Sequence, residues 1–192
     1  MFRATRIAAA ITIVICMISC AGRNFVRPEP DSLTLGKTTY QRIIDQFGKP
    51  YKEGSKLKND KAIKTITYAY SSAGGNALNE GVTPARAMSF HFADDLLVGY
   101  EFVSSFKEDH SDFDDSKIGS IRKGETTQEQ IIELLGEPKG KYIFPLIKNR
   151  EAKAMVYMYS QFKNYVTFHK LLIVSIENNI VSDVEYTTSG KM

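Results

Sequence analysis

A fifteen-residue segment of this chain recurs in a second, similar copy. Gly36-Lys37-Thr38-Thr39 opens a segment that runs through Ile43-Ile44 to Phe47-Gly48-Lys49-Pro50, and Gly124-Glu125-Thr126-Thr127 opens one that runs through Ile131-Ile132 to Leu135-Gly136-Glu137-Pro138. Gly36 and Gly124 lie 88 residues apart, as do Pro50 and Pro138, and seven of the fifteen aligned positions are identical. A spacing held over that length marks a duplication. It limits the chain to architectures that can be built twice from one unit.

Each copy predicts one short helix. Thr38 with Gln41, and Thr126 with Glu129, form the T-x-x-Q/E pattern that satisfies the first free amides of a helix. Ile43, Ile44 and Phe47 share a face, as do Ile131, Ile132 and Leu135. Gly48 and Gly136 suit a left-handed backbone just past the helix, and Pro50 and Pro138 stop it from continuing.

The correspondence continues into strands. Ile66-Thr67-Tyr68-Ala69-Tyr70-Ser71 matches Met155-Val156-Tyr157-Met158-Tyr159-Ser160, and Phe92-Ala93-Asp94-Asp95-Leu96 matches Ile176-Glu177-Asn178-Asn179-Ile180. Apolar runs joined by Asp-Asp or Asn-Asn read as hairpins. Leu96–Val103 and Ile180–Thr187 alternate in side-chain character, as strands with one buried face do. The expected order is a helix then three strands, twice. The expected class is α+β: two tandem repeats, each a helix followed by a three- to four-stranded antiparallel sheet, with helices on one face. Ser71–Arg86 reads as an extended hairpin loop, and the acidic stretch through Asp112–Asp115 as a solvated link.

These residues resemble a known family. Leu33-x-x-Gly36-x-Thr38…Ile43-x-x-x-Phe47-Gly48-x-Pro50 and Ile121-x-x-Gly124-x-Thr126…Ile131-x-x-x-Leu135-Gly136-x-Pro138, each followed by aromatic strands, resemble the SmpA/OmlA family. That family includes the small lipoprotein subunit of the outer-membrane β-barrel assembly machinery. The β-lactamase-inhibitory-protein fold joins two such units in tandem. The resemblance implies a binding module rather than a catalyst.

The first residues point to a compartment. Arg3 and Arg6 precede an uncharged apolar run from Ile7 to Ile18. A run of about 12 residues spans roughly 18 Å as a helix, short of a hydrocarbon core of about 30 Å, and so reads as a signal peptide. Met17-Ile18-Ser19-Cys20 resembles the lipobox of bacterial lipoproteins, which implies cleavage before Cys20 and a lipid on its sulfur. Ala21 follows where inner-membrane lipoproteins often carry Asp, so the outer membrane, facing the periplasm, is the expected location. In a Gram-positive host the expected location is the cell membrane. The expected organisation is a signal peptide over 1–19, a tether over 20–31, one repeat over 32–106, an acidic link over 107–117 and a second repeat over 118–192.

Composition removes several functions. Without residues 1–19 the chain carries 23 Lys and Arg against 22 Asp and Glu, a balance with no footprint for nucleic acid. Cys20 is then the single cysteine, so neither a disulfide nor a thiolate metal site is available. Gly36-Lys37-Thr38 lacks the upstream glycine of a phosphate-binding loop, because Asp31 stands in its place. His91, His110 and His169 are scattered, and no G-x-S-x-G occurs. The Asp112–Asp115 cluster lacks the spacing of a calcium loop.

The expected function is that of a membrane-anchored, non-enzymatic envelope lipoprotein without cofactor or metal. It would bind an envelope protein in outer-membrane assembly or maintenance. The alternative is an inhibitor of an envelope or secreted hydrolase. Tyr68, Tyr70, Tyr157 and Tyr159 are expected in the core. The opposite strand parity nominates His91, Glu101, Ser175, Asp183 and Glu185 as a partner-facing surface, beside Cys20 as the lipidation site.

Overall fold

A computed structural model describes residues 22–190 of the chain. Cys20, the apolar run and the expected cleavage site lie outside the described residues. Eight strands run in sequence order: β1 (Lys52–Lys58), β2 (Lys61–Ser71), β3 (Ala85–Ala93), β4 (Leu96–Ser104), β5 (Gly140–Tyr142), β6 (Lys153–Lys163), β7 (Val166–Glu177) and β8 (Ile180–Ser189). Each pairs antiparallel with the next, in one eight-stranded sheet. Among the described residues there are also two eight-residue helices, α1 (Tyr40–Phe47) and α2 (Gln128–Leu135), and short 3-10 turns at Pro30–Ser32 and Asp115–Ser120.

This overturns the expected class. The chain does not form two tandem units, each with its own small sheet. The described residues form a single sheet with little helix, in which four strands follow each of the two helices. The continuity rests on β5, three residues long, whose Gly140–Tyr142 pair with Glu101–Gly99 on one side and Val156–Ala154 on the other. Gly140 permits that approach: a Cβ there would lie 2.6 Å from the Tyr100 carbonyl oxygen. No side chain fits at that point.

Register assigns the two faces. Tyr100 opposes Lys141, which opposes Met155, so the first and second cores lie on the same side of the sheet. On that side Ile43 of α1 packs with Ile66, Tyr68, Met88, Phe90, Tyr100 and Phe102. Ile131 of α2 packs with Met155, Tyr157, Leu172, Val174 and Ile176. The Tyr68 hydroxyl donates to the Gly48 carbonyl at 2.7 Å and the Tyr157 hydroxyl to the Gly136 carbonyl at 2.8 Å, latching each helix end to the sheet. Tyr159 is buried too, whereas Tyr70 is half-buried and stacks on Phe106 at 5.9 Å.

Local chemistry explains the element ends. Gly48 (φ 74°, ψ −155°) and Gly136 (φ 78°, ψ −176°) sit in a backbone region reserved essentially for glycine. The helix caps are one residue later than the sequence pattern predicts: Thr39 accepts from the Arg42 amide, and Thr127 forms a reciprocal box with Gln130. Thr38 and Thr126 instead accept from Thr34 and Arg122 amides upstream, and both are buried. Asp94-Asp95 and Asn178-Asn179 turn with two successive positive φ values, as hairpins of this kind require. Asn59-Asp60 and Asn164-Tyr165 do the same. Those two turns the sequence reading missed.

Two further expectations are corrected. The acidic segment is not a solvated link, because it is tied to the second core. Phe113 and Ser111 are buried, and the buried Lys170 ammonium pairs with Asp112 at 2.8 Å and Asp115 at 3.2 Å while donating to the Phe113 carbonyl. Nor does the described part of the expected tether hang free. Gly22 bridges to Tyr70, Phe25 packs edge-on against Phe102 at 6.5 Å, and Arg27 lies over the same ring.

Candidate functional site

The sheet face without helices has two regions. The first is covered by the chain between β5 and β6: Leu146 packs with Ile63, Ala93 and Val98, and Ile147 with Ala152, Ala154 and Ile173. Asn59 in the β1–β2 turn donates to the carbonyls of Pro145 and Ile147, pinning this cover to the other half of the sheet.

Near its margin lies a buried polar chain. His91 Nδ1 pairs with the Thr65 hydroxyl at 2.8 Å, and His91 Nε2 lies 2.7 Å from Glu101 Oε2. The Tyr142 hydroxyl donates to the same carboxylate oxygen at 2.7 Å. Burial pushes the Glu101 carboxyl up, but the His91 charge and hydrogen bonds from His91, Tyr142 and Ser89 outweigh it and hold the group below the usual carboxylate range. Burial, followed by the Glu101 charge, pushes the Tyr142 phenol well up. A hydroxyl, an imidazole and a carboxylate in a row resemble the parts of a hydrolytic site. None of these three side chains lines either of the two hollows described below on this face. The row ties β2, β3, β4 and β5 together.

The structure therefore divides the five nominated residues. His91 and Glu101 are buried in this network and present nothing to a partner. Alternation had placed them on the helix-free face, but it could not show that the cover and Tyr142 would enclose them. Ser175 is buried as well, with its carbonyl accepting from the Ser182 hydroxyl. Asp183 and Glu185 are exposed on β8, an edge strand, where charge also discourages pairing with other chains. Ser175, Asp183 and Glu185 meet with Lys123, Lys148 and Asn149 around one shallow polar hollow of about 670 Å³. Among the described residues no group of three or more His, Cys, Asp or Glu is placed to hold a metal ion.

The second region is open, and the sequence reading did not nominate it. Ala69, Ala87 and Val103 from β2–β4 face Ser160, Phe162 and Thr167 from β6 and β7 across a hollow of about 310 Å³. These strands lie several places apart in the sheet, at about 4.8 Å per step, so one small hollow reaches all of them only if the sheet curves around it. Gly22, Tyr51 and Tyr70 complete the rim on the β1 side, and Arg86, paired with Glu108 and Asp109, lies at its edge. Small residues on several strands create the space, a signal visible only once register is known.

No family model matches the chain, and no curated protein matches it. A solved structure, that of a putative beta-lactamase inhibitor protein from Streptococcus mutans, is similar with a TM-score of 0.42 and 13% identity, covering 82% of this chain and 91% of that one. A likeness of that degree assigns neither a family nor a function.

Proposed function

We propose that this chain is a lipid-anchored envelope protein that binds another protein through the open part of its helix-free sheet face, in the manner of the SmpA/OmlA family. One observation carries the binding reading: an apolar hollow, walled by both halves of the sheet, opens where neither helices nor the β5–β6 chain cover it. A hollow of that size accepts one or two apolar side chains of a partner, the buried centre around which protein interfaces are organised. The Cys20 motif and the duplicated G-x-T…G-x-P segments support the compartment and the family. Outer-membrane assembly or maintenance is the setting that family implies.

The test places a photoreactive amino acid at Ala87 or Ser160 in the hollow, and at Arg42 on α1 as a control, in cells carrying the full chain. Protein adducts are expected from the first two positions and not from the third. Adducts from Arg42 alone, or from none, would defeat the binding face. A captured hydrolase whose activity falls on binding would select the inhibitor alternative. Labelled palmitate is expected to enter the wild type and not Cys20→Ser, and absence of label from the wild type removes the anchor.

A further inference from the structure

The β6–β7 hairpin ends in side chains that its own fold does not use. Tyr165 is 96% exposed, Phe162 47% and Val166 45%, so three of the large exposed apolar residues sit on one turn. Their one mutual contact of note is an edge-on approach of the Phe162 and Tyr165 rings at 6.5 Å. Tyr165 also occupies a turn position, at φ 63°, that bulky side chains avoid. The other three hairpin turns place Asp60, Asp95 and Asn179 there, residue types that tolerate it. A large aromatic ring is held in a disfavoured backbone, in solvent, with no packing gain inside the described molecule.

Its position supplies the reason. The β6–β7 pairing continues to Lys163 and Val166, beyond the last β7–β8 pair at His169 and Ser189. The hairpin therefore overhangs the sheet at the end opposite to the Asn59, Asp94 and Asn178 turns. The described chain also begins there: Gly22 bridges to Tyr70 near the close of β2 and lines the same hollow as Phe162 and Thr167. Cys20 is two residues before Gly22, a reach of about 7 Å at full extension. Lys163 on the turn and Arg23 beside Gly22 bring cations to this end, with Glu80 on the neighbouring loop as an acid.

We infer that the tip of the β6–β7 hairpin, with Tyr165 and Val166 leading, enters the headgroup layer of the bilayer as a second membrane contact beside the lipid on Cys20. This rests on the anchored reading proposed above. A tyrosine suits that layer because its ring is apolar and its hydroxyl is not, and a lysine can keep its ammonium among anionic headgroups while its stem lies deeper. Two contacts at one end fix the orientation of the sheet, so that the hollow opens close beside the membrane surface.

The sequence contains no tryptophan, so Tyr165→Trp creates a single fluorescent reporter at an exposed site. The full lipidated chain carrying it is reconstituted in phosphatidylethanolamine–phosphatidylglycerol vesicles, some with acyl chains brominated near the headgroup. The emission is expected to shift to the blue and to fall by about half or more with bromolipid, as for a ring at the interface. Leu57→Trp, exposed at the opposite end of the sheet, is expected to show neither change. If the Tyr165→Trp chain is lipidated and vesicle-bound, yet its indole emits as in water, the hairpin contact is overturned and the anchor stands. Absence of palmitate from Cys20 overturns both. Equal quenching of both reporters also overturns the inference, since it shows no orientation.

Discussion

Tyr68 and Tyr157 show how little separates a core residue from a latch. Their rings fill the two cores while their hydroxyls reach the carbonyls of Gly48 and Gly136. Burial raises the Tyr68 phenol to about 12, so it remains a donor at any physiological pH. Tyr68→Phe and Tyr157→Phe are each expected to cost about 1 kcal/mol, the net value of one hydrogen bond, read as a lower urea midpoint with an unchanged slope. Glu101 makes a different prediction. Its folded pKa lies below the ordinary 4.5, so the folded state binds fewer protons than the unfolded one in acid. The stabilisation is complete above that ordinary value and is lost as the pH falls through the lowered one. Asp115, depressed by the Tyr186 hydroxyl and then by Lys170, acts in the same sense below 3.8. Urea midpoints measured down an acid series are expected to decline, and Glu101→Gln to make that decline shallower. A variant with the wild-type slope would show that Glu101 contributes nothing to it.

Among the elements, the helix starts are the instructive case. Each copy offers two adjacent threonines; in the first only Thr38 has a Gln or Glu three residues on, whereas in the second both do, Glu129 after Thr126 and Gln130 after Thr127. The structure uses the second threonine of each pair. Thr38 and Thr126 are committed elsewhere: their carbonyls accept from the amides of Leu97 and Val181, and their hydroxyls accept from the amides of Thr34 and Arg122. Thr39 and Thr127 then bridge to Leu96 and Ile180 and cap α1 and α2. Thr127 has both halves of the reciprocal box, its amide donating to the Gln130 side chain at 2.9 Å. Thr127→Ala is expected to lower stability by about 1 kcal/mol, and Thr38→Val to cost more than Thr39→Ala because the buried Thr38 hydroxyl is lost and the Thr34 amide is left without its partner. Equal effects at Thr38 and Thr39 in thermal unfolding would contradict this division. The Asn164-Tyr165 turn is not legible in the sequence for the opposite reason, since tyrosine is not a turn residue.

At the scale of the molecule the decisive feature is one short strand. β5 has only three residues, yet it turns two sets of strands into one sheet. Contacts over the seam reinforce it, including Asn79 donating to the Tyr159 hydroxyl and to Gln161, and the Ser111 hydroxyl donating to the Met158 carbonyl. The wild type is therefore expected to unfold in a single cooperative step. Gly140→Val would force β5 off β4, and is expected to broaden or split that transition when far-ultraviolet and tyrosine signals are followed together. An unchanged, single transition in the variant would mean that the seam is not what couples the halves.

The amino-acid sequence by itself determined what a few consecutive residues can settle. The glycines at 48 and 136 end helices because other residues cannot adopt that backbone, Asp94-Asp95 and Asn178-Asn179 turn because their side chains tolerate positive φ, and alternation in β4 and β8 follows from the pleat. Alternation also placed His91, Glu101, Ser175, Asp183 and Glu185 on one face. Only the tertiary structure decided which of them meets solvent, because that depends on Tyr142 and on Leu146 and Ile147, 51 or more residues away in the chain from His91. The same is true of the single sheet, of the buried Lys170 and of the open hollow. Each arises where backbones distant in sequence come within hydrogen-bonding reach, and a local pattern has no access to that distance.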